Sequence, residues 1–335
     1  MENKTILITG AAGYIGSSFC FNALKKGFNV VGIDNFSTSS KKNILQLKKR
    51  FKETFTFYRK CLMDDNLSEI FTNSKDIWSV VHFAALKNVP ESQEKPDLYL
   101  KNNVFGTENL INHMHDYGIK RLLFSSSASV YGNQEIQPIK ELAKLKPCSV
   151  YAETKKISEE LIKEATENKK ISAISLRYFN PIGSHQERVI ADSFEESNSS
   201  IMAAIIKASL GLDKNIFIYG YDYDTKDGTG ERDYIHISDL IDGHFSALEY
   251  LNKFKGYEIF NLGTGHSVSV LELIKTFEKV NNIKINYLFK ERRDGDLGRC
   301  FADPSKANKE LNWEARYNLK TMCKDAWEAI RNGDR

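Results

Sequence analysis

The sequence predicts an α/β fold in which a doubly wound parallel sheet is followed by a smaller, mixed α/β C-terminal lobe. Three observations lead there. Apolar β-type runs alternate with amphipathic helical stretches through the first half of the chain, the rhythm of strand–helix–strand units. Those runs are nearly continuous in apolar residues, as in strands covered on both faces. A glycine-spaced turn in TILITGAAGYIGS joins the first run to the first helix.

In order, the candidate strands of this half are TILIT (5–9), NVVGI (29–33), SVVHFA (79–84), RLLFSSS (121–127) and ISAISLRY (171–178). Helical patterns lie near 14–26, 40–53, 97–117 and 151–168. In the second of these, Ile44, Leu45, Leu47 and Phe51 form an apolar face and the lysines a solvated one, so this basic run reads as surface. After about residue 180 the rhythm breaks. NPIGSHQERVIADSFEESNSS is polar and irregular, a loop able to cover a ligand. Short strands follow at IFIYG (216–220), YEIFNLG (257–263) and INYLF (285–289), with helices near 200–210, 238–252, 269–281 and 319–331. The expected division is a nucleotide-binding domain over 1–180, with later returns near 232–262, and a substrate lobe over 181–335, with a cleft between them.

Composition excludes several classes. Lys+Arg 47 against Asp+Glu 44 leaves a formal charge of +3, too small to argue for nucleic acid or an anionic membrane. No window approaches the ~20 apolar residues needed to span a bilayer, and MENKTILITG lacks a signal-peptide layout. The five cysteines are an odd count without C-x-x-C or zinc spacing, so free thiols, no metal and a cytoplasmic location are expected.

Gly10, Gly13 and Gly16 fall between the first strand and the first helix with the spacing G-x-x-G-x-x-G. The first suits a tight turn, the second a close approach of backbone to pyrophosphate, and the third close helix–strand packing, with the helix N-terminus facing the phosphates. Asp34 follows the second strand, 18 residues beyond Gly16, where a carboxylate accepts both ribose hydroxyls of NAD and repels the 2′-phosphate of NADP. Alone, Asp34 reads equally well as a turn residue. Together these features predict a Rossmann-type NAD site.

RLLFSSSASVYG brings Ser125, Ser126 and Ser127 to the carboxyl end of a strand, the ligand-binding end of such a sheet. Tyr151 and Lys155 share one face of the following helix. A lone Tyr-x-x-x-Lys is common on exposed helices. With the glycine loop upstream it acquires a chemical meaning. A lysine cation and a nicotinamide cation beside a tyrosine favour the phenolate, and lowering its pKa by ~3 units needs about 4 kcal/mol. Such a phenolate can take the proton of a substrate hydroxyl while the carbinol carbon gives up hydride, and a serine hydroxyl steadies the same oxygen.

The segments GAAGYIG, HFAALKNVPES, NNVFGT, FSSSASVYG, the Tyr151/Lys155 pair, RYFNPIG, DGTGERDYIH, YEIFNLGTG and RRDGDL, in this order, resemble the extended short-chain dehydrogenase/reductase superfamily. DGTGERDYIH and RRDGDL point within it to the UDP-glucose (UDP-galactose) 4-epimerases, and the likeness runs from about residue 4 to 331. That resemblance implies oxidation of the sugar C4 by tightly held NAD, rotation of the 4-keto sugar, and hydride return to the opposite face. It implies Tyr151, Lys155 and Ser127 as the catalytic residues. It implies cofactor contacts from Gly10, Gly13, Tyr14, Ile15 and Gly16, from Asp34 and Asn35, and from Leu62, Phe83, Ala84, Lys87, Asn102, Ser125, Tyr151, Lys155 and Tyr178. The UDP-sugar would meet Lys87, Ser127, Tyr151, Asn180, Ser200, Tyr219, Arg232, Arg293, Asp296 and Cys300. Two arginines suit a diphosphate, and Asp296 a ribose diol. A homodimer, paired through the helices near 97–117 and 151–168, is implied as well.

The chain departs from the family pattern in four places. KCLMDD puts Cys61 where an aspartate usually receives the adenine amino group, which shifts that contact to backbone near Leu62. Ala85 replaces a glycine of the FAAL segment. The loop 184–200 lacks the usual glycine- and proline-containing segment, and Ser200 stands in place of an asparagine. Cys300 occupies the position against the sugar C2 substituent, where a bulky tyrosine restricts the relatives to plain hexoses. A small residue there leaves room for an N-acetyl group, although a buried free cysteine is also an ordinary core residue. Other readings of the motifs are a nucleotide-sugar reductase, a 4,6-dehydratase and a redox-dead NAD-binding sensor. Ser127-Ala128-Ser129 lacks the carboxylate that dehydration needs, and the sensor reading sits poorly with a retained tyrosine and lysine.

Overall fold

The structure, a computed structural model, describes residues 3–74, 76–168, 171–184, 200–293 and 296–333. Residues 185–199, the body of the polar loop singled out above, lie outside the described residues. The central sheet is built from β1 (Thr5–Thr9), β2 (Asn29–Ile33), β3 (Phe55–Tyr58), β4 (Ile77–His82), β5 (Arg121–Ser127), β6 (Ser172–Tyr178) and the strand Tyr257–Leu262. Its spatial order is Tyr257–Leu262, β6, β5, β4, β1, β2, β3. β1 pairs in parallel with both β2 and β4, so the strand order reverses there, at the point where open α/β sheets bind their ligands.

Between the strands run α1 (Tyr14–Lys25), α2 (Lys41–Arg50), α3 (Ser68–Asn73), α4 (Val89–Glu94), α5 (Pro96–Tyr99), α6 (Gly106–Asp116) and α7 (Val150–Asn168). Three expectations need correction. The strand expected at 79–84 runs over Ile77–His82, because at Phe83 and Ala84 the backbone passes against Gly10. β3 was invisible as a pattern: FTFY is a short edge strand with only Phe55 buried. The single helix expected over 97–117 is three pieces, with a π-helical turn at Leu100–Phe105 between α5 and α6. That turn carries Asn103, whose side chain accepts from Leu86 N (2.8 Å) and donates to Leu86 O (2.9 Å) and Thr154 Oγ1 (3.0 Å). Recruiting one asparagine to three partners takes a bulge that hydrophobic periodicity cannot register.

The chain divides into two compact units, one formed by Met1–Val130, Ser149–Arg177 and His244–Phe260, the other by Tyr131–Cys148, Tyr178–Gly243 and Asn261–Arg335. In the first, Leu7, Val31, Val80, Leu122 and Phe124 of the sheet pack with Leu110, Met114 and Ile162 of the helices. In the second, a separate core gathers Ile205, Ile216, Ile218, Leu273, Phe277 and Cys323. Here the strand Tyr287–Lys290 pairs with Ile216–Tyr219, so the expected strand 285–289 begins later than its apolar run. Among the described residues no helix is long and apolar enough to cross a membrane.

β4 ends on a polar residue in the middle of the first core. His82 bonds Thr9 Oγ1 through Nδ1 (2.6 Å) and Thr107 Oγ1 through Nε2 (2.9 Å), and burial, with Lys155 nearby, pushes its pKa down to about 3. The native state then holds fewer protons than the unfolded chain between about pH 3 and 6.5, so stability is lost as pH falls through that window. At pH 5 this group alone removes about 2 kcal/mol. Thermal midpoints at pH 7.5 and pH 5 should differ by less in His82→Gln, which can still bond both threonines, than in the unaltered protein.

Candidate active site

The glycine loop has the geometry its spacing predicts, and the three glycines differ in what demands them. Gly10 has φ +68°, and a Cβ there would lie 2.7 Å from Ala84 N. A Cβ on Gly16 would lie 2.0 Å from Gly10 O, so helix and turn could not close. At Gly13 a Cβ would meet only Gly10 O, at 3.5 Å, and φ is −67°. The protein itself therefore tolerates a side chain at Gly13; a ligand brought up to this backbone would not. Gly13 is the N-cap of α1, no side chain caps the helix, and its first turn has no acidic residue, so the positive end of α1 is available to an anion.

Asp34 follows β2 with its carboxylate turned back onto the loop. Oδ2 accepts from Ala12 N (3.0 Å), and Oδ1 from Phe36 N (2.8 Å) and Ser39 Oγ (2.9 Å). Of the four acceptor sites of a carboxylate, one on Oδ2 is left. Receiving both hydroxyls of a ribose therefore requires Ser39 to turn away, a constraint absent from the sequence reading. The uncapped α1, the open face at Gly13 and the half-buried carboxylate together fit a dinucleotide. Of the remaining expected cofactor residues, Leu62 is buried and its carbonyl accepts from Asn109 (2.6 Å), while Cys61 N is held by Asp64 (2.8 Å). The Phe83 ring packs at a tilt against Phe19 and His244. Lys87 is exposed.

At the end of β5 the three serines face three successive turns of α7. Ser127 lies near the Tyr151 phenol and favours its ionised form. The Ser125 carbonyl accepts from Lys155 Nζ at 2.7 Å. Ser126 Oγ donates to Glu159 Oε1 at 2.5 Å. The opposite side of Glu159 is closed by Arg177 on β6, whose Nε donates to Oε1 (2.9 Å) and Nη2 to Oε2 (2.6 Å). The start of α7 is fixed as firmly: Ser149 Oγ accepts from Ala152 N, and Ser92 Oγ of α4 from Tyr151 N.

Burial sets the charge states here. It raises the Tyr151 pKa, against a lowering by Ser127, and it pushes Lys155 down to about 7, against a raising by Glu159. The Lys155 ammonium lies against the Ser125 carbonyl and over the Phe124 ring (4.8 Å), and the protein alone does not make Tyr151 acidic. The expectation invoked the lysine and the nicotinamide cation together, and Lys155 by itself does not offset the burial of the phenol. Desolvation outweighs one lysine that is itself close to neutral.

Seven of the expected substrate residues, Asn180, Ser200, Tyr219, Arg232, Arg293, Asp296 and Cys300, lie in the second unit. The Arg293 guanidinium stacks on Tyr219 at 3.5 Å. Arg232 Nη1 donates to Leu297 O (2.8 Å), and Cys300 lies beside Arg232 in strand register, buried, with its thiol pushed up to about 11. Asp296 N donates to Arg293 O (3.1 Å), and Asn180 N to Asp233 O (2.9 Å). Ser200 caps the helix Ile201–Ser209 by accepting from Ala203 N (3.1 Å), so its hydroxyl has a structural task before any ligand arrives.

The family model for the NAD-dependent epimerase/dehydratase family matches residues 6–263. The chain belongs to that family. The cofactor of this epimerase/dehydratase is accordingly NAD. The chain is 42% identical over 323 residues to the UDP-glucose 4-epimerase of Bacillus subtilis (strain 168), covering 96% of this chain and 95% of that protein. Its fold matches the UDP-glucose-4-epimerase of Stenotrophomonas maltophila, solved with bound NAD and formylated UDP-arabinopyranose, with a TM-score of 0.94, 37% identity and 99% of each chain covered. It also matches the UDP-Glc/GlcNAc 4-epimerase of Campylobacter jejuni with a TM-score of 0.84, 32% identity, and 98% and 99% covered.

Several residues escaped the sequence reading. Glu159 and Arg177 look like an ordinary helix glutamate and a strand-end arginine, and Asn103 like a repeat of Asn102. Asp233 is buried at the centre of four hydrogen bonds from Thr264 N and Oγ1, Gly265 N and Ala302 N. Only their pairing in space gives these residues a role. The one available signal was the interruption of an apolar run, as in Arg177 within SLRYF.

Two outcomes follow from this geometry. Gly13→Ala should keep thermal stability within about 0.5 kcal/mol of the unaltered protein while the purified protein carries less NAD, whereas Gly16→Ala should fail to fold; NAD released on heat denaturation, with circular dichroism, distinguishes the two. Glu159→Ala, which strands a buried arginine, should cost about 3–5 kcal/mol in chemical denaturation, and Glu159→Leu with Arg177→Met should recover most of it.

Proposed function

We infer that this chain is an NAD-dependent isomerase that interconverts UDP-glucose and UDP-galactose at C4. The observation that carries the reading is the joint fixing of Ser127, Tyr151 and Lys155 by β5 and α7 in a member of the epimerase/dehydratase family. NAD, when bound, takes up hydride from the sugar C4 and gives it back. The chain's own groups manage the proton and the geometry. Tyr151 Oη takes the proton of the C4 hydroxyl, and Ser127 Oγ holds the same oxygen. Lys155, with a pKa near 7, supplies a cation to the ribose side of the site when protonated. Turning of the 4-keto sugar presents its other face, and Tyr151 returns the proton to give the epimer with no net oxidation. Arg232 and Arg293 bind the diphosphate, Asp296 a ribose diol, and Tyr219 the uracil side, with Asn180, Ser200 and Lys87 as further contacts. The absence of a carboxylate in Ser127-Ala128-Ser129, where Ser129 Oγ donates to Ser127 Oγ (2.9 Å), speaks against dehydration.

A wider sugar range rests on Cys300. A small buried side chain next to Arg232 supports a pocket that also admits UDP-GlcNAc and UDP-GalNAc. Two further features belong to the same reading. Leu98 and Phe105, large apolar residues 45% and 51% exposed near α5 and α6, support a homodimer through these helices and α7. Five free cysteines suit a reducing cytoplasm.

Incubated with UDP-galactose, UDP-GalNAc or UDP-GlcNAc, the purified protein should convert each without net NADH. Conversion of UDP-galactose alone would close the pocket at Cys300, and conversion of none would overturn the epimerase reading. Tyr151→Phe should keep the fold and lose at least ~10²-fold in kcat; unchanged turnover would remove Tyr151 from the chemistry. Sedimentation at micromolar concentration should give twice the monomer mass.

A further inference from the structure

Lys155 lies well inside α7, and its ammonium is tied to β5 through the Ser125 carbonyl (2.7 Å). Tyr151 is placed differently. It is the second residue of a helix that begins at Val150, in the turn whose N–H groups have no acceptor within the helix. At this end Glu153 N donates to Ser149 O (2.9 Å). The three amides ahead of it, those of Val150, Tyr151 and Ala152, take their partners from side chains.

One of those partners is local: Ala152 N donates to Ser149 Oγ (3.1 Å), the ordinary form of an N-cap. The other two come from α4. Val150 N donates to Gln93 Oε1 (3.0 Å) and Tyr151 N to Ser92 Oγ (3.2 Å). Consecutive residues of α4 therefore answer consecutive amides of α7, running in the opposite direction. Ser92 is buried, and its Oγ donates to Val89 O (2.6 Å), which commits its proton and leaves the oxygen to accept from Tyr151. α4 is only six residues long and is braced in turn. Asn88 Oδ1 caps it by accepting from Glu91 N (3.1 Å), and the buried Tyr99 hydroxyl accepts from Asn88 N (3.0 Å) and donates to Glu91 Oε2 (3.0 Å).

We propose that Ser92 and Gln93 are positioning residues for the reaction: by capping α7 from α4 they keep the turn that carries Tyr151 helical and its phenol in place for the sugar hydroxyl. The assignment rests on the epimerase reading above, in which Tyr151 moves the proton. Helix ends fray, and a 19-residue helix packed along the rest of its length loses little when its first turn opens. The proton transfer loses much more, because the phenol must lie within hydrogen-bond reach of the oxygen it serves. The effect of these two caps therefore falls on turnover.

The test uses the full-length protein with its NAD and UDP-galactose as substrate, in the variants Gln93→Ala, Ser92→Ala and the two combined. Gln93 is exposed, so Gln93→Ala should fold and carry as much NAD as the unaltered protein. Its kcat should fall about threefold or more, and that of the combined variant about tenfold or more, with KM within about twofold in each. Gln93→Glu, which keeps an acceptor at the helix N-terminus, should hold kcat within about twofold of the unaltered protein. A purely structural cap would lower the thermal midpoint and leave kcat alone. Unchanged kcat in Gln93→Ala, or an equal loss in Gln93→Glu, would overturn the proposal alone. Failure of the unaltered protein to convert UDP-galactose would overturn the epimerase reading and this assignment with it.

Discussion

The carboxylate of Glu159 is the point on which the first unit turns. It is almost wholly removed from water, Arg177 answers both its oxygens, and Ser126 adds a third hydrogen bond. A buried ion pair adds little net stability over an apolar pair of the same volume. Its effect is geometric. One carboxylate joins α7, β5 and β6, and it does so at the middle serine of three whose neighbours, Ser125 and Ser127, meet Lys155 and Tyr151. The reactive groups sit on a helix and a strand end that cannot slide past one another without breaking that pair.

The same desolvation governs the chemistry. Burial acts on Tyr151 and Lys155 in opposite senses, making the phenol less acidic and the ammonium more so, which moves two groups of nearly equal ordinary pKa apart on the pH scale. Between the two pKa values both groups are neutral, and one further charge beside them controls which ionises. Glu159, one turn beyond Lys155, supplies part of that control by favouring the lysine cation. Around them, His82 with its two threonines and Asn103 with Leu86 and Thr154 show how this core accepts polar groups: each is fully partnered inside it.

The second unit uses the same device with a different residue. Asp233 is buried and receives four hydrogen bonds, three from backbone, and so holds the turn at Thr264 and the chain at Ala302 beside the strand that carries Arg232. Arg232 donates through one nitrogen, Nη1, to Glu231 O and Leu297 O. In both units an arginine or lysine expected to meet a ligand is fixed through a backbone carbonyl, which orients the group without neutralising it.

Much of this was legible in the sequence, because it rests on local physics. Continuous apolar runs and period-3.6 patterns located β1, β2, β5, β6, α1 and α7, since burial on two faces or one stripe leaves a residue-level trace. Gly10 and Gly16 were readable as steric necessities, and Tyr151 and Lys155 as neighbours on one helical face. What tertiary structure alone decided is everything that depends on a partner distant in the chain. The π-turn at 100–105 exists because Asn103 must reach Leu86, β3 because a short edge strand needs β2 to pair with, and the charge states of Tyr151 and Lys155 because burial acts only once the sheet is assembled. The sequence named the groups that could react; desolvation and long-range hydrogen bonds, which no window of sequence contains, decided how they are held and charged.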